Sequence, residues 1–372
     1  MTVNLTTIIA DLESKIANAD SSSSLSNLLS LLNSAERLTG TKSVYDSSEL
    51  LTTAAEIGSV KFQNDGSLRF YNGTDWDLLT GPAPYTFQGS TSGYSTGGRY
   101  PASVYKNTID KYSYTSDANA TDVGDLVVAT AEQPAGQSSE TNGYHSGGKT
   151  PSGETNHIQK FPFSSDDNAS DIGNLTQVRA ETSGQSSETH GYTSGGKNPA
   201  NTNRIDKFSF STDGDATDVA NMVSSGGGLG TGNSSPSHGY VTSRNETNTI
   251  EKFSFSVDEN ATDVGDLTVA RGFAGGQSSS THGYLSGGGA PGGNTIDKWS
   301  FSSDGNATDV GDLTAIVYWN SGTSSTTNGY SQGGNPAPRA ISIEKFPFST
   351  DTNASDIADL TQSRWTPAGQ QV

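Results

Sequence analysis

Residues 281–314 read THGYLSGGGAPGGNTIDKWSFSSDGNATDVGDLT, and residues 189–222 read THGYTSGGKNPANTNRIDKFSFSTDGDATDVANM. The two stretches are one sentence written twice, and the chain writes it six times. A Gly-Tyr pair recurs with its tyrosine at Tyr94, Tyr144, Tyr192, Tyr240, Tyr284 and Tyr330, at spacings of 50, 48, 48, 44 and 46 residues. Each pair is followed by a second marker: TIDKYSY from Thr108, HIQKFPF from His157, RIDKFSF from Arg204, TIEKFSF from Thr249, TIDKWSF from Thr295 and SIEKFPF from Ser342. A third marker closes each copy, beginning with DVGDL at Asp122–Leu126.

A period of about 40–50 residues is the size of one propeller blade, four strands per unit. The unit reads that way. AGGQSSS is a first strand, THG or TNG a tight turn, and YLSGG a second strand. NTIDKWSF is a third strand rich in β-formers, SSDGNA a turn, and TDVGDLT a fourth strand. The fold class is therefore all-β, a six-bladed propeller. The C-terminal WTPAGQQV matches EQPAGQSS at 132–139, so a seventh unit begins and stops after one strand. That strand is expected to pair with the first blade, near Tyr85–Ser90, and close the ring. Pro162 and Pro347 stand where other copies have Ser113, Ser209, Ser254 and Ser300, which predicts a strand end or an unpaired amide at that slot in every blade.

The composition sets bounds. Only 30% of the 372 residues are hydrophobic and 44 are glycine, yet the aromatics fall at a fixed period, which a disordered chain has no reason to keep. A formal charge of −19 disfavours nucleic acid and anionic membranes. No apolar run approaches a membrane span, and MTVNLTTIIADLESK lacks the basic start and long apolar core of a secretory signal. With no cysteine there are no disulfides, thiolate metal sites or cysteine nucleophiles, a pattern that fits assembly in a reducing cytoplasm.

Before the repeats, residues 1–40 are expected to form a helical anchoring or oligomerisation segment. Leu5, Ile9, Leu12 and Ile16 fall on one helical face, and Leu28 and Leu32 follow a heptad-like spacing beyond a serine break. Such helices cannot bury their stripes alone and need a partner or copies of themselves. Residues 41–81 read as a small β connector, with strands joined by Asn-Asp-Gly and Asn-Gly-Thr turns. Residues 82–372 form the propeller.

The order of Gly turn, Tyr-x-x-Gly-Gly, variable loop, Ile-Asp-Lys-Phe and a Leu-containing last strand resembles the kelch type of β-propeller. The doublets are Gly97/Gly98, Gly147/Gly148, Gly195/Gly196, Gly287/Gly288 and Gly333/Gly334, with Ser243 and Arg244 in the fourth copy. The usual last-strand tryptophan of that family is missing. The connector, SVKFQNDGSLRFYNGTDWDLL, resembles modules of bacteriophage tail-fibre and other virion proteins. The Asp-x-Asn-Ala-Thr-Asp-Val-Gly-Asp-Leu-Thr unit resembles repeats in marine and cyanobacterial phage structural proteins. These resemblances imply a non-enzymatic phage virion protein, of tail-fibre or capsid-fibre type. It would be assembled in the host cytoplasm and would display a propeller head for host attachment. The partners implied are other virion proteins and a host-surface glycan or protein, with no nucleic acid or membrane insertion. A homo-oligomer, by preference a trimer, follows by the same likeness. The rival readings are an intracellular kelch-type adaptor and, behind it, a glycan-processing enzyme.

No catalytic residue, metal ligand or cofactor is expected. The Asp- and Asn-rich turns have oxygens suited to calcium, but such residues also make self-bonded turns, and the spacing is not that of an EF-hand. His190, His238 and His282 occupy a turn slot shared with Asn142 and Asn328, not a metal cluster. Binding is expected where the copies differ. The loop after each Gly-Gly carries Tyr100, Lys149, Lys197, Arg244 and Arg339, cations and an aromatic on an acidic molecule. Tyr318 and Trp319 replace small or polar residues in the fifth copy. They either stack on a sugar or anchor a protein partner, or they pack between blades.

Overall fold

The computed structural model describes residues 88–223, 230–243, 247–289, 293–336 and 339–372, together with the backbone of three short strands nearer the N-terminus. The chain divides into two compact units, Met1–Pro84 and Tyr85–Val372. In the first, Val60–Phe62, Leu68–Tyr71 and Trp76–Leu78 form an antiparallel meander, with Lys61 opposite Arg69 and Phe70 opposite Asp77. The helices expected over 1–40, with Leu5, Ile9, Leu12, Ile16, Leu28 and Leu32, lie outside the described residues.

The second unit is a six-bladed β-propeller of four-stranded antiparallel sheets. The fifth blade shows the plan: Gly275–Ser278 lies innermost, then His282–Ser286, Thr295–Ser300 and, outermost, Thr308–Asp312. Pro162 and Pro347 end their third strands, and so do the four serines of that slot, as the missing proline donor requires.

Ring closure uses the C-terminal strand, with a different partner from the one expected. Ala368–Gln371 becomes the innermost strand of the first blade, with Ala368 opposite Thr96 and Gln371 opposite Gly93. The free edge it finds belongs to the Gly-Tyr strand, Ser92–Thr96. Gln88–Ser90, the described part of the segment expected to pair, instead lie against the ends of the innermost strands of the fifth and sixth blades. Gln88 Nε2 donates to the Ser278 carbonyl at 3.0 Å, and the Gly89 amide to that of Ser324 at 2.8 Å.

Six seams hold the ring, because both faces of each blade are covered by neighbours. The third strand shows how the sequence serves both. Ile109 and Lys111 point toward the second blade: Ile109 joins a cluster with Phe161 and Phe163, and Lys111 pairs with Asp166 at 3.0 Å. Asp110 and Tyr112 point the other way, to Thr361 and to Tyr330 of the sixth blade. The alternation is the period of two of a strand, so Ile-Asp-Lys-Phe sends alternate residues to opposite seams. The repeat tyrosine of each second strand stacks on the next blade: Tyr144 on Phe210 at 4.7 Å, Tyr240 on Phe301 at 4.8 Å, and Tyr330 on Tyr114 at 4.6 Å across the closure. Each such pair adds about 0.5–1.5 kcal/mol beyond its buried area.

The Asp- and Asn-rich turns are seam clamps. The side-chain oxygen of Asn168 accepts the Asp125 amide at 2.9 Å, and Ala169 N donates to the Asp125 carbonyl at 2.8 Å. Asn119, Asp215, Asn260, Asn306 and Asn353 repeat the contact at the other five seams. The nearby aspartates take the lysine of the preceding blade, as in Lys207–Asp258 at 2.8 Å and Lys345–Asp117 at 2.6 Å. At every seam one Asn or Asp of the turn thus accepts an amide of the preceding blade and one Asp takes its lysine.

Candidate functional site at the mouth of the axial channel

The channel wall is made by the second residue of each innermost strand, always glycine. A Cβ on Gly184 would lie 2.1 Å from the Gly136 carbonyl oxygen, and one on Gly232 would lie 2.0 Å from that of Gly184. Gly276, Gly322, Gly369 and Gly136 complete the circle with clashes of 2.1–2.5 Å. Only a backbone without side chains lets six blades meet this closely. Two residues further on, serines form a girdle: Ser138 N donates to Ser186 Oγ, Ser186 N to Ser234 Oγ, Ser234 N to Ser278 Oγ and Ser278 N to Ser324 Oγ, at 2.8–3.1 Å. Gln371 completes it, its Oε1 accepting from Ser324 N and its own amide donating to Ser138 Oγ. The enclosed space of about 70 Å³ takes a short file of waters. Gln88–Ser90 lie at this end, where the innermost strands finish.

The opposite end is built from the connectors that lead into the innermost strands. Each described connector holds a non-glycine residue in the left-handed region at one common slot: Glu132 at φ 59°, Glu181 at 56°, Phe273 at 62°, Trp319 at 64° and Thr366 at 53°, with Gln133 at 52° following Glu132 in the second blade. The equivalent connector into the fourth blade lies partly outside the described residues. Main-chain bonds link these residues around the mouth: Glu181 N to Glu132 O at 2.8 Å, Trp319 N to Phe273 O and Thr366 N to Trp319 O, both at 2.7 Å. Left-handed φ costs a side-chain-bearing residue of order 1–3 kcal/mol. The ring imposes the backbone, and the side chain on it varies from acid to aromatic.

The residue after each Gly-Gly docks on these connectors. Both glycines have positive φ in all five doublets, and Ser243 takes the same conformation, φ 62°, in the fourth copy. Beyond that turn, Arg99 exchanges backbone bonds with Trp365, Lys149 with Ala131, and Asn335 with Tyr318. Lys197 does so with Ala180.

Side chains then collect in two groups. Trp319 has Phe273 at 5.7 Å, Tyr318 at 5.2 Å and Trp365 at 5.6 Å, and Tyr100 meets Trp365 edge-on at 5.2 Å. All five rings are half-buried. Asn335 Nδ2 donates to the Tyr318 hydroxyl at 2.5 Å. Beside them lies a charged group. Arg99 reaches Glu132 at 2.7 Å with its guanidinium 6.0 Å over the Trp319 ring. Lys149 stands 3.5 Å from Glu132 and 3.7 Å from Glu154. Glu132, more than the other neighbours, holds the Lys149 ammonium above its ordinary pKa. Burial raises the Glu181 carboxyl, an effect that Lys197 opposes.

The structure therefore brings together Tyr100, Lys149, Tyr318 and Trp319 from the expected set, with Trp319 half-buried and packed against its neighbours. Lys197 stands exposed on the same face, beyond the aromatic group. Arg244 lies outside the described residues, and Arg339 opens a short 3-10 turn, Arg339–Ile341, described by its backbone alone. The sequence reading missed Arg99, Glu132, Glu181, Phe273 and Trp365. Arg99 occupies the same post-doublet slot as Lys149 and Lys197, a signal that aligning the copies on their glycines brings out.

Among the described residues no three or more histidine and acidic side chains converge as a metal site. His145 is fully buried, between Thr96 Oγ1 at 2.8 Å and Thr130 Oγ1 at 2.5 Å, and burial lowers its pKa to about 3. It is a neutral seam residue. Three buried ion pairs, Arg179–Asp206, Arg271–Asp297 and Arg364–Asp110, serve the same connectors at 2.9–3.0 Å. No protein-family model matches the chain, and no curated protein matches its sequence.

Proposed function

We propose that the chain is a non-enzymatic structural protein of a bacteriophage virion, a tail fibre or similar appendage, whose propeller head binds the host surface through the channel mouth. The observation that carries the binding part is the pairing of a variable, half-exposed aromatic group with a scaffold whose seams repeat. Position supports it as well. Gln88, the first described residue of the propeller, meets the ring at the end of the channel opposite Trp319. The virion part rests on the likeness of the connector and repeat to phage structural proteins. Proteomic analysis of purified virions tests it: the chain is expected among their proteins, and its absence from virions of a phage that encodes it defeats the reading.

An intracellular adaptor is favoured by one observation. Val104, Val127, Val178, Val223 and Ile316 are exposed on loops of the mouth face, which suits a protein partner. Affinity capture from uninfected host lysate of one stoichiometric protein, lost when Ile316 and Val127 become Asp, would favour the adaptor over the fibre.

A further inference from the structure

We infer that the mouth receives a neutral, hydroxyl-rich sugar residue. This inference rests on the binding-head reading and names the ligand class of that same site. Electrostatics makes the choice. On a chain of net charge −19, the charged groups here balance: Arg99, Lys149 and Lys197 stand against Glu132, Glu154 and Glu181. An anionic glycan would meet three carboxylates and the field of an acidic protein. A cationic ligand at the aromatic group would meet the like charge of the Arg99 guanidinium, 6.0 Å from the Trp319 ring centroid. A neutral sugar loses nothing to either. Its C–H faces suit Trp319, Trp365, Phe273 and Tyr100, and its hydroxyls find charged donors and acceptors, which make the stronger hydrogen bonds.

The space behind the rim agrees. A cavity of about 80 Å³ is lined by Gln133 and Asn320 among backbone and small residues, with room for several waters or the substituents of a sugar ring. Gln133 Oε1 and Asn320 Oδ1 are buried and have no hydrogen-bond partner. Both are acceptors, and sugar hydroxyls donate. The Trp365 indole N–H is likewise buried and without a partner.

The test uses the full-length protein on an array of neutral, sialylated and sulfated oligosaccharides, followed by titration of the best ligand against tryptophan fluorescence. A neutral oligosaccharide is expected to bind and to change the emission. Trp319→Gly is expected to weaken that binding at least tenfold. Glycine suits φ 64°, so this variant keeps its fold, and its melting temperature checks that it does. Glu132→Gln is expected to shift array selectivity toward anionic glycans, a change that a purely structural role would not produce. Selective binding of sialylated or sulfated glycans by the unaltered protein, binding untouched by Trp319→Gly, or silence across the array would each overturn the inference. The virion reading would stand in all three cases, since proteomics decides it separately.

Discussion

Gln332 donates to the main-chain oxygen of Tyr94 at 3.0 Å, across the seam between the last blade and the first. In the five other blades the same bond comes from the innermost strand: Gln137 to Tyr192, Gln185 to Tyr240, Asn233 to Tyr284, Gln277 to Tyr330 and Gln370 to Tyr144. In the sixth blade that innermost slot is Thr323, whose hydroxyl meets the phenol of Tyr112 at 2.5 Å. Tyr112 stands where other blades have Phe or Trp. The first blade carries two extra phenols, Tyr112 and Tyr114; Thr323 meets that of Tyr112, and the displaced amide is restored from the neighbouring strand. Gln332→Ser is expected to cost about 1–2 kcal/mol, since it strands a buried carbonyl. The triple variant Tyr112→Phe, Thr323→Gln, Gln332→Ser restores the repeat residues at these three positions and is expected to melt near the original temperature. Chemical denaturation of both variants checks this, and additive losses would refute the coupling.

The glycine circle makes a sharper prediction. Gly184→Ala places a methyl 2.1 Å from the Gly136 backbone oxygen, which belongs to the preceding blade and cannot swing away. Loss of at least 4–5 kcal/mol is expected, the range of severe core damage. Gly289→Ala, whose Cβ would have its nearest neighbour at 3.9 Å, is expected to be tolerated. Thermal melting of the two proteins distinguishes them.

Acid is expected to loosen the seam between the first two blades through His145. Its pKa is about 3 in the folded protein because burial disfavours the charge, against 6.5 in the unfolded chain. Between those values the unfolded state binds the extra proton, so stability is lost as pH falls from 6.5 toward 3. The slope is about 1.4 kcal/mol per pH unit at most. His145→Thr, the residue of the third blade at Thr193, is expected to flatten the difference between melts at pH 7 and pH 5. An unchanged slope would show that the carboxylates carry the whole effect.

Deleting residues 366–372 removes the innermost strand of the first blade, together with Gly369 of the circle and Gln371 of the serine girdle. A large fall in melting temperature with loss of cooperativity is expected by calorimetry. A truncated chain that melts like the complete one would mean that the closure contributes little.

Much of the fold was legible because its signals are local and repeat. Tyr192, the Gly195/Gly196 doublet and Ile205-Asp206-Lys207-Phe208 announce strands from within a few residues. The exact partner of the closing strand was not, since Ala368 meets Thr96 by filling whichever edge the first blade leaves open. The role of Asn168 stayed hidden for a related reason: its partner, Asp125, lies 43 residues away. The site was half visible. Tyr318 and Trp319 stand out by breaking the repeat. Glu132, Phe273 and Trp365 read as ordinary lead-ins to a strand, and only the closed ring sets connectors from opposite ends of the chain around one opening.

The left-handed connector residues have a consequence for how this protein changes over generations. Their backbone is dictated by neighbours on both sides, so the genetic code can rewrite Glu132, Glu181, Phe273, Trp319 or Thr366 without renegotiating the architecture. Five single-codon dials stand around one aperture, each already set to a residue that disfavours its own conformation. A lineage under pressure to recognise new surfaces would be expected to turn those dials first and to leave the glycines alone.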